Sequence, residues 1–207
     1  MHKPANAFTI LAFAFLTLLV GCALPKKEVI AVPADAFEVC YGYGCKTVQT
    51  VTLDSTQWFA IEELFSPKAA SARIERQQLS LAIAQMEAFI GDLTHTQGDL
   101  PGTFAAFFQD RSHQMDCVDE ATNTTLYLRL FRERGLMRFH KEGQRINRGF
   151  FLNGWPHTSA VIEQLNSGKQ FAVDSWFHKN GIEPEIIPIN LWYSGWHPTP
   201  DDIKQRK

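Results

Sequence analysis

The period of the hydrophobic pattern changes at Gly135, and this change limits the chain to one fold class. Before Gly135, apolar residues recur three and four positions apart, which is the period of an amphipathic helix. After Gly135, shorter segments carry the apolar and alternating patterns that are typical of strands. Helices followed by an antiparallel sheet form an α+β fold, and we expect the N-terminal helices to pack on that sheet.

Capping and turn residues set the boundaries of these elements. Three helices are predicted, at residues 55–65, from 66 to about 93, and at 116–133, after a short strand at 48–53. Ser55 and Ser66 are the expected N-caps of the first two helices, with Pro67 at the first helical position of the second. Four later strands are predicted, at residues 136–140, 149–152, 157–165 and 170–177, and Asn166-Ser167-Gly168 joins the last two as a hairpin turn.

The N-terminus has the pattern of an export signal. Lys3 precedes an apolar run at residues 7–20, which has the length of a signal-peptide core and is too short to span a bilayer comfortably. The following Leu19-Val20-Gly21-Cys22 resembles the bacterial lipobox. This resemblance implies cleavage before Cys22 and acylation of that residue, with palmitate as an expected acyl chain, so that several chains hold the protein on a membrane.

The lipobox also predicts the organisation and location of the protein. We expect a signal peptide at residues 1–21, a tether at 22–36 that is rich in proline and lysine, and one domain at 37–207. The resemblance implies a lipid-anchored, periplasm-facing protein of the cell envelope, on the outer membrane in a Gram-negative host because Ala23 is not an aspartate. An uncleaved anchor helix, or cleavage at a nearby small residue with release, are the alternatives.

The composition excludes several classes of protein. A net charge of −2 gives no basic field, so we expect no nucleic-acid partner. The 45% hydrophobic and 20% charged residues are ordinary for a globular domain and argue against disorder. The sequence has no metal-finger spacing, and we expect neither a metal nor a cofactor. It leaves the oligomeric state open.

The four cysteines divide by role. Cys22 is the expected lipid site. Cys40 and Cys45 flank a short glycine-containing loop and can pair in an oxidising compartment. This leaves Cys117 as an odd cysteine, which is either a reactive thiol or an inert buried side chain.

Three residues could form a thiol triad. Cys117 is predicted at the start of a helix, where the free backbone N–H groups and the helix dipole lower the pKa of a thiol. His157 opens one strand of the predicted hairpin, and Asp174 lies on the partner strand within a few residues of registry. A nucleophile on a helix tip, a base on a strand and an orienting carboxylate on the next strand have the general arrangement of such a triad.

The segments around these residues resemble those of the bacterial transglutaminase-like group. Met115-Asp116-Cys117-Val118-Asp119-Glu120-Ala121 resembles its cysteine segment, Pro156-His157-Thr158-Ser159-Ala160-Val161 its histidine strand, and Phe171-Ala172-Val173-Asp174-Ser175-Trp176 its aspartate strand. The three key residues are 40 and 17 positions apart, which is typical of the group. The resemblance implies a papain-like core and a thiol hydrolase or acyl transferase that acts on peptide or amide bonds.

The resemblance also implies a role for each residue. Cys117 would attack the carbonyl carbon, His157 would move the proton, and Asp174 would hold the imidazole in one tautomer. The backbone N–H of Cys117 would help to bind the oxyanion. Gln109 and Gln114 are the candidate side-chain donors to that oxyanion, although neither occupies the position expected from papain-type enzymes.

Other interpretations of these residues stay open. His157 could be a turn histidine and Asp174 a cap or a ligand of a backbone amide, in a non-catalytic envelope lipoprotein that uses the domain for binding or structure. A small cluster beside Cys117 could hold a cation and consists of His113, Asp116, Asp119 and Glu120. A solvated acidic first turn, favoured by the helix dipole, explains these residues better. Four tryptophans could line a cleft or only pack the core, namely Trp155, Trp176, Trp192 and Trp196.

Overall fold

The computed structural model describes residues 35–104, 112–149, 156–199 and 201. Its elements are β1 (Phe37–Tyr41), β2 (Thr47–Val51), α1 (Ser55–Glu63), α2 (Ala72–Thr94), α3 (Cys117–Glu133), β3 (His140–Glu142), β4 (Ile146–Arg148), β5 (His157–Gln164), β6 (Gln170–Asp174), β7 (Glu185–Pro188) and α4 (Ile189–Tyr193). The predicted α+β class is confirmed. Residues Pro33–Lys207 form one compact unit.

Several predictions fall outside the described residues. These are the signal peptide at 1–21, nearly all of the tether at 22–36, the lipidation site Cys22, the candidate Gln109 and the side chain of Trp155. In the part of the chain that is described, no helix has both the length and the apolar character needed to cross a membrane.

The strands form two antiparallel sheets. β1 and β2 make a two-stranded hairpin in which Phe37 lies opposite Val51. The larger sheet has the order β3-β5-β6-β7, and β4 also pairs with β5. In the β5–β6 hairpin, Ala160 lies opposite Val173, one residue from the predicted register. His157 and Asp174 are therefore diagonal neighbours on one face of the sheet.

The first two helices begin at different caps from those predicted. Asp54, not Ser55, caps α1, because its carboxylate accepts the N–H groups of Thr56 and Gln57 while the Gln57 side chain accepts the Asp54 N–H. The predicted start of the second helix at Ser66 is also wrong. Residues 66–71 form an irregular segment, and α2 starts after Ser71, whose hydroxyl accepts the N–H of Ile74.

The third helix begins where the sequence predicts. Asp116 caps α3 by accepting the N–H groups of Val118 and Asp119, so that Cys117 is the first helical residue. The helix ends at the predicted stop, because Gly135 takes a left-handed φ of 69° that other residues rarely adopt. The nucleophile candidate therefore sits on a well-capped helix terminus.

The predicted strand at 136–140 is mostly wrong. The buried carboxylate of Glu75 accepts the backbone N–H groups of Arg138, Phe139 and His140, and only from His140 onward does the chain pair with β5. β4 lies at Ile146–Arg148, whereas the predicted strand at 149–152 falls outside the described residues except for Gly149. β6 ends at Asp174 instead of 177. The elements β1, β7 and α4 were not predicted.

The main hydrophobic core joins the helices to the sheet. Its apolar members include Trp58 and Ile61 of α1, Leu79, Ile83 and Met86 of α2, Leu128 and Phe131 of α3, and Ala160, Ile162 and Val173 of the sheet. The apolar stripe predicted for α2 is buried except at its end, where Leu93 is 38% exposed. This packing fixes the start of α3 beside the start of β5.

Candidate active site

The structure joins two of the three predicted residues directly. The Nε2 atom of His157 and the Oδ2 atom of Asp174 lie 2.7 Å apart, and both side chains are almost completely buried. When the imidazole is neutral, this contact keeps its proton on Nε2, because a carboxylate can only accept a hydrogen bond. The Nδ1 atom of His157 is buried and has no hydrogen-bond partner among the described residues. It is the ring nitrogen that is free to take a proton.

Aromatic side chains enclose this pair. The ring of His157 lies 4.6 Å from the Trp176 ring, 5.3 Å from Phe177 and 5.6 Å from Trp192, measured between centroids. The indole N–H of Trp192 also donates to Asp174 Oδ2, over 2.7 Å. The carboxylate oxygen that faces His157 is therefore fixed by two donors, and the imidazole ring has little freedom to rotate.

Cys117 is half-buried and lies next to the strand that carries His157. Its sulfur accepts a hydrogen bond from the backbone N–H of Thr158, the residue after His157. Burial raises the pKa of Cys117 to about 11, and the negative charges of Asp116 and Asp174 act in the same direction against the hydrogen bond from Thr158. The lowered thiol pKa predicted from the helix tip is therefore wrong. Desolvation and two nearby carboxylates outweigh the helix dipole.

A buried arginine completes the polar part of the site. Arg148 lies directly opposite His157 in the β4–β5 pair. Its Nη1 donates to the carbonyl oxygens of Trp192 at 2.7 Å and Trp196 at 3.0 Å. Burial lowers the pKa of Arg148, while the charges of Asp174 and Cys117 raise it, which indicates that the guanidinium acts on both groups. This cation is available to offset the negative charge of a thiolate.

The disulfide loop packs against the first turn of α3. Cys40 and Cys45 form a disulfide, as predicted, and Cys117 is a free cysteine. All four residues from Gly42 to Cys45 have positive φ angles, and this conformation directs backbone N–H groups toward Asp119. Tyr43 donates to the Asp119 carboxylate over 2.8 Å, and Cys45 also donates to it. The carboxylate of Asp119, one of the acidic residues considered above as cation ligands, is thus already hydrogen-bonded to backbone N–H groups.

The predicted oxyanion donor Gln114 is engaged elsewhere. Its Oε1 accepts the N–H of Leu100 at 3.1 Å, and its Nε2 donates to the carbonyl of Gly98 at 3.2 Å. Both ends of the side-chain amide therefore hold a loop. Because the Asp116 cap takes the N–H groups of Val118 and Asp119, the backbone N–H of Cys117 is the better candidate donor.

Behind α3 lies a second cluster of buried carboxyl groups. Burial raises the pKa of Glu87 to about 8 and that of Asp99 to about 7. The charge of Asp99 adds to the shift at Glu87, and the charges of Asp119 and Asp116 add to the shift at Asp99. The pKa of Glu120, on α3, is also raised well above its usual value by burial and by these neighbours. Glu87 Oε1 has no hydrogen-bond partner among the described residues. These groups favour the neutral, protonated form.

Sequence reasoning missed Arg148 and the hydrogen bond that Trp192, one of the four tryptophans named above, makes with Asp174. The number of tryptophans near the site was a usable signal for Trp192, since a buried indole N–H needs an acceptor. Arg148 gave no signal, because it lies outside every strand that the sequence predicts.

Comparison of the chain with protein-family models, with curated proteins and with solved structures gives no match.

Proposed function

We propose that this chain is an envelope lipoprotein that acts as a thiol-dependent hydrolase or acyl transferase on peptide or amide bonds. The observation that carries the proposal is the buried 2.7 Å contact between His157 and Asp174. It leaves His157 Nδ1 without a hydrogen-bond partner among the described residues, and the next residue, Thr158, binds the Cys117 sulfur. The likeness of the three segments to the bacterial transglutaminase-like group supports a papain-like core.

The reaction begins with proton transfer from Cys117 to His157 Nδ1 as the sulfur forms a bond to the substrate carbonyl carbon. The carbonyl oxygen takes the electron pair of the broken π bond and accepts a hydrogen bond from the Cys117 N–H. The imidazolium then gives its proton to the leaving amine as the C–N bond breaks. Water completes hydrolysis of the thioester, or a second amine completes acyl transfer.

The raised pKa of Cys117 decides how the thiol is activated. At neutral pH a thiol with a pKa of about 11 carries very little preformed thiolate. Deprotonation must therefore accompany attack, and His157 is the base that makes it possible. Asp174 stabilises the imidazolium that forms, and Trp192 keeps Asp174 in place.

The alternative is a non-catalytic envelope lipoprotein that uses this domain for binding or structure. The same pKa favours it, because a half-buried neutral thiol between two acidic groups is poorly nucleophilic. The two functions differ in one measurable property, which is whether the reactivity of Cys117 depends on His157.

Alkylation of the full chain by iodoacetamide at neutral pH tests this dependence. Peptide mapping by mass spectrometry gives the rate at Cys117 alone, and the same map of membrane-extracted protein shows whether Cys22 carries acyl chains. We expect His157→Ala to slow the Cys117 reaction by about tenfold or more. His178→Ala is the matched control, since it removes another buried histidine that pairs with an acid, Glu185, at 3.0 Å. Equal rates in wild type and His157→Ala would exclude the enzyme and favour the alternative.

A further inference from the structure

A polar cleft opens beside the candidate nucleophile. It has a volume of about 650 Å³ and lies between α3 and the segment that joins β3 to β4. Val118 and Thr158, which follow Cys117 and His157 in the chain, are among its lining residues. The Thr158 backbone N–H also binds the Cys117 sulfur. The volume is in the range of small-molecule and peptide side-chain pockets, and the chain neighbours of Cys117 and His157 form part of its wall.

Arginines dominate the charge of this cleft. Arg129 and Arg145 line it together with one acid, Glu142. The Glu142 carboxylate is already paired with Arg132 at 2.6 Å and lies 4.0 Å from Arg129. Arg145 donates to the hydroxyl of Thr122 and forms no ion pair within the described residues. The cleft therefore has excess positive charge, although the whole chain has a net charge of −2.

Neutral hydrogen-bonding groups line the cleft together with the arginines. The side chains of Thr125, Gln144 and Asn147 line the cleft. The Oδ1 atom of Asn147 accepts the Thr158 hydroxyl at 2.7 Å, so its amide nitrogen is the atom left to contact a ligand. Amide donors and acceptors of this kind match a peptide backbone, and a guanidinium matches a carboxylate in a bidentate arrangement.

We propose that the cleft binds a carboxylate of the substrate, so that the preferred acyl donor is an acidic peptide with a free carboxylate close to the bond that Cys117 attacks. Arg145 is the principal contact and Arg129 the second, while Asn147 and Gln144 bind the intervening amide. This assignment rests on the proposed function. It also gives a reason for two exposed arginines that no described acid neutralises fully, because an exposed cation gains most from a ligand that brings its own charge.

The test uses two alkylating probes that differ only in charge. N-iodoacetyl-glycine carries a carboxylate, and N-iodoacetyl-glycinamide carries a neutral amide at the same distance from the reactive carbon. In both, the sulfur of Cys117 displaces iodide, and the thiol proton passes to the buffer. The rates at Cys117 are measured in the full chain by peptide mapping and are divided by the rates of free N-acetylcysteine.

We expect wild type to prefer the carboxylate probe by about fivefold, the factor that a well-oriented exposed ion pair supplies. Arg145→Gln should abolish most of this preference, measured as the ratio of the two probe rates in the same protein, and Arg129→Gln should abolish part of it. Arg73→Gln is the control, because it removes the same charge from an exposed residue outside the cleft. Retention of the preference in the double variant Arg145→Gln/Arg129→Gln, its absence in wild type, or an equal loss in Arg73→Gln would overturn the proposal.

Failure of this inference is separable from failure of the proposed function. A preference that survives while His157→Ala leaves both probe rates unchanged means that the cleft binds carboxylates without a catalytic thiol. If His157→Ala slows both probes but wild type shows no preference for the carboxylate probe, the proposed enzyme function is supported and the proposed substrate class is wrong.

Discussion

Two buried histidine–carboxylate pairs lie at opposite ends of β5, and they differ in how completely they are satisfied. At one end, His140 Nδ1 contacts Glu75 at 2.9 Å while its Nε2 lies 3.3 Å from an Arg76 nitrogen, so both ring nitrogens have partners. At the other end, His157 has only its Nε2 engaged, and its Nδ1 has no partner in the described chain. A fully satisfied histidine holds structure together, whereas one with a free nitrogen can carry a proton.

The two carboxylates differ in the same way. Glu75 accepts three backbone N–H groups as well as His140. Burial raises the pKa of Glu75, but these hydrogen bonds outweigh it and hold the pKa below its usual value. Among the described residues, the donors to Asp174 are two side chains, those of His157 and Trp192. The first pair thus fixes the path of the backbone, and the second fixes the orientation of a ring.

The largest effect is expected when the structural pair is broken. Glu75→Ala leaves His140 and three backbone N–H groups without their acceptor, so we expect the free energy of unfolding to fall by about 3–5 kcal/mol. Chemical denaturation measures this loss. Because the pKa of Glu75 is lowered, its contribution is complete above the unfolded pKa and disappears as the pH falls through the folded value. The difference between wild type and variant should therefore shrink in acid.

Two controls sharpen this result. Glu163→Ala removes a surface carboxylate that pairs with Lys141 at 3.0 Å, and it should change the stability little. In Glu75→Ala the rate of Cys117 alkylation, corrected for the folded fraction, should equal that of wild type. A slower rate would mean that the pair at His140 also supports the candidate site, and the division between the two ends of β5 would not hold.

The next largest effect on the free energy of unfolding is expected at Glu87, a buried carboxyl group with few hydrogen-bond donors. The raised pKa of Glu87, about 8, means that folding favours the protonated form, with Asp99 and Glu120 as its acidic neighbours. The effect of pH on stability through Glu87 is opposite to the effect through Glu75. Stability is lost as the pH rises from the unfolded pKa of Glu87 through the folded value. Glu87→Gln should remove this loss and increase the free energy of unfolding at pH 8 by on the order of 1–3 kcal/mol.

Denaturation of Glu87→Gln at pH 5 and pH 8 tests the sign. At pH 5 wild type and variant should be similar, since the amide replaces a protonated acid of the same shape. Glu38→Gln is the matched control, because it changes an exposed side chain of β1. It should leave the pH dependence of the free energy of unfolding as in wild type. A variant that is less stable at pH 8 than wild type would show that the Glu87 carboxylate is stabilised by charge instead.

The sequence predicted the elements of the candidate site better than the rest of the fold. The helical period before Gly135, the strand patterns after it and the turn at Asn166-Ser167-Gly168 are local signals, and they placed Cys117, His157 and Asp174 on the elements that the structure shows. The path at residues 136–139 was not predictable in this way, because Glu75, more than sixty positions earlier, takes the backbone N–H groups that a strand would use. The pKa of Cys117 was predicted in the wrong direction, since helix-tip reasoning includes the dipole but not burial by the rest of the fold.

The smallest effect is expected at the indole that orients Asp174. Trp192→Phe keeps an aromatic ring near His157 but removes the N–H that donates to Asp174 Oδ2, so we expect Cys117 alkylation to slow by roughly fivefold while the protein stays folded. Trp176→Phe is the matched control, because it keeps a ring against His157 and removes an N–H that donates to the Thr103 carbonyl. Its rate should be close to that of wild type.

A double-mutant cycle with Asp174→Asn separates orientation from packing in this last case. If Trp192 acts only by holding Asp174, then Trp192→Phe should add little further slowing in the Asp174→Asn background, because the carboxylate it positions is already gone. If the two effects multiply instead, Trp192 supports the site through its ring contacts with His157, and its hydrogen bond is incidental. The cycle thus decides whether Trp192 acts on His157 through Asp174, the acceptor that both side chains share. At the other end of β5, His140 has partners on both ring nitrogens and needs no such support.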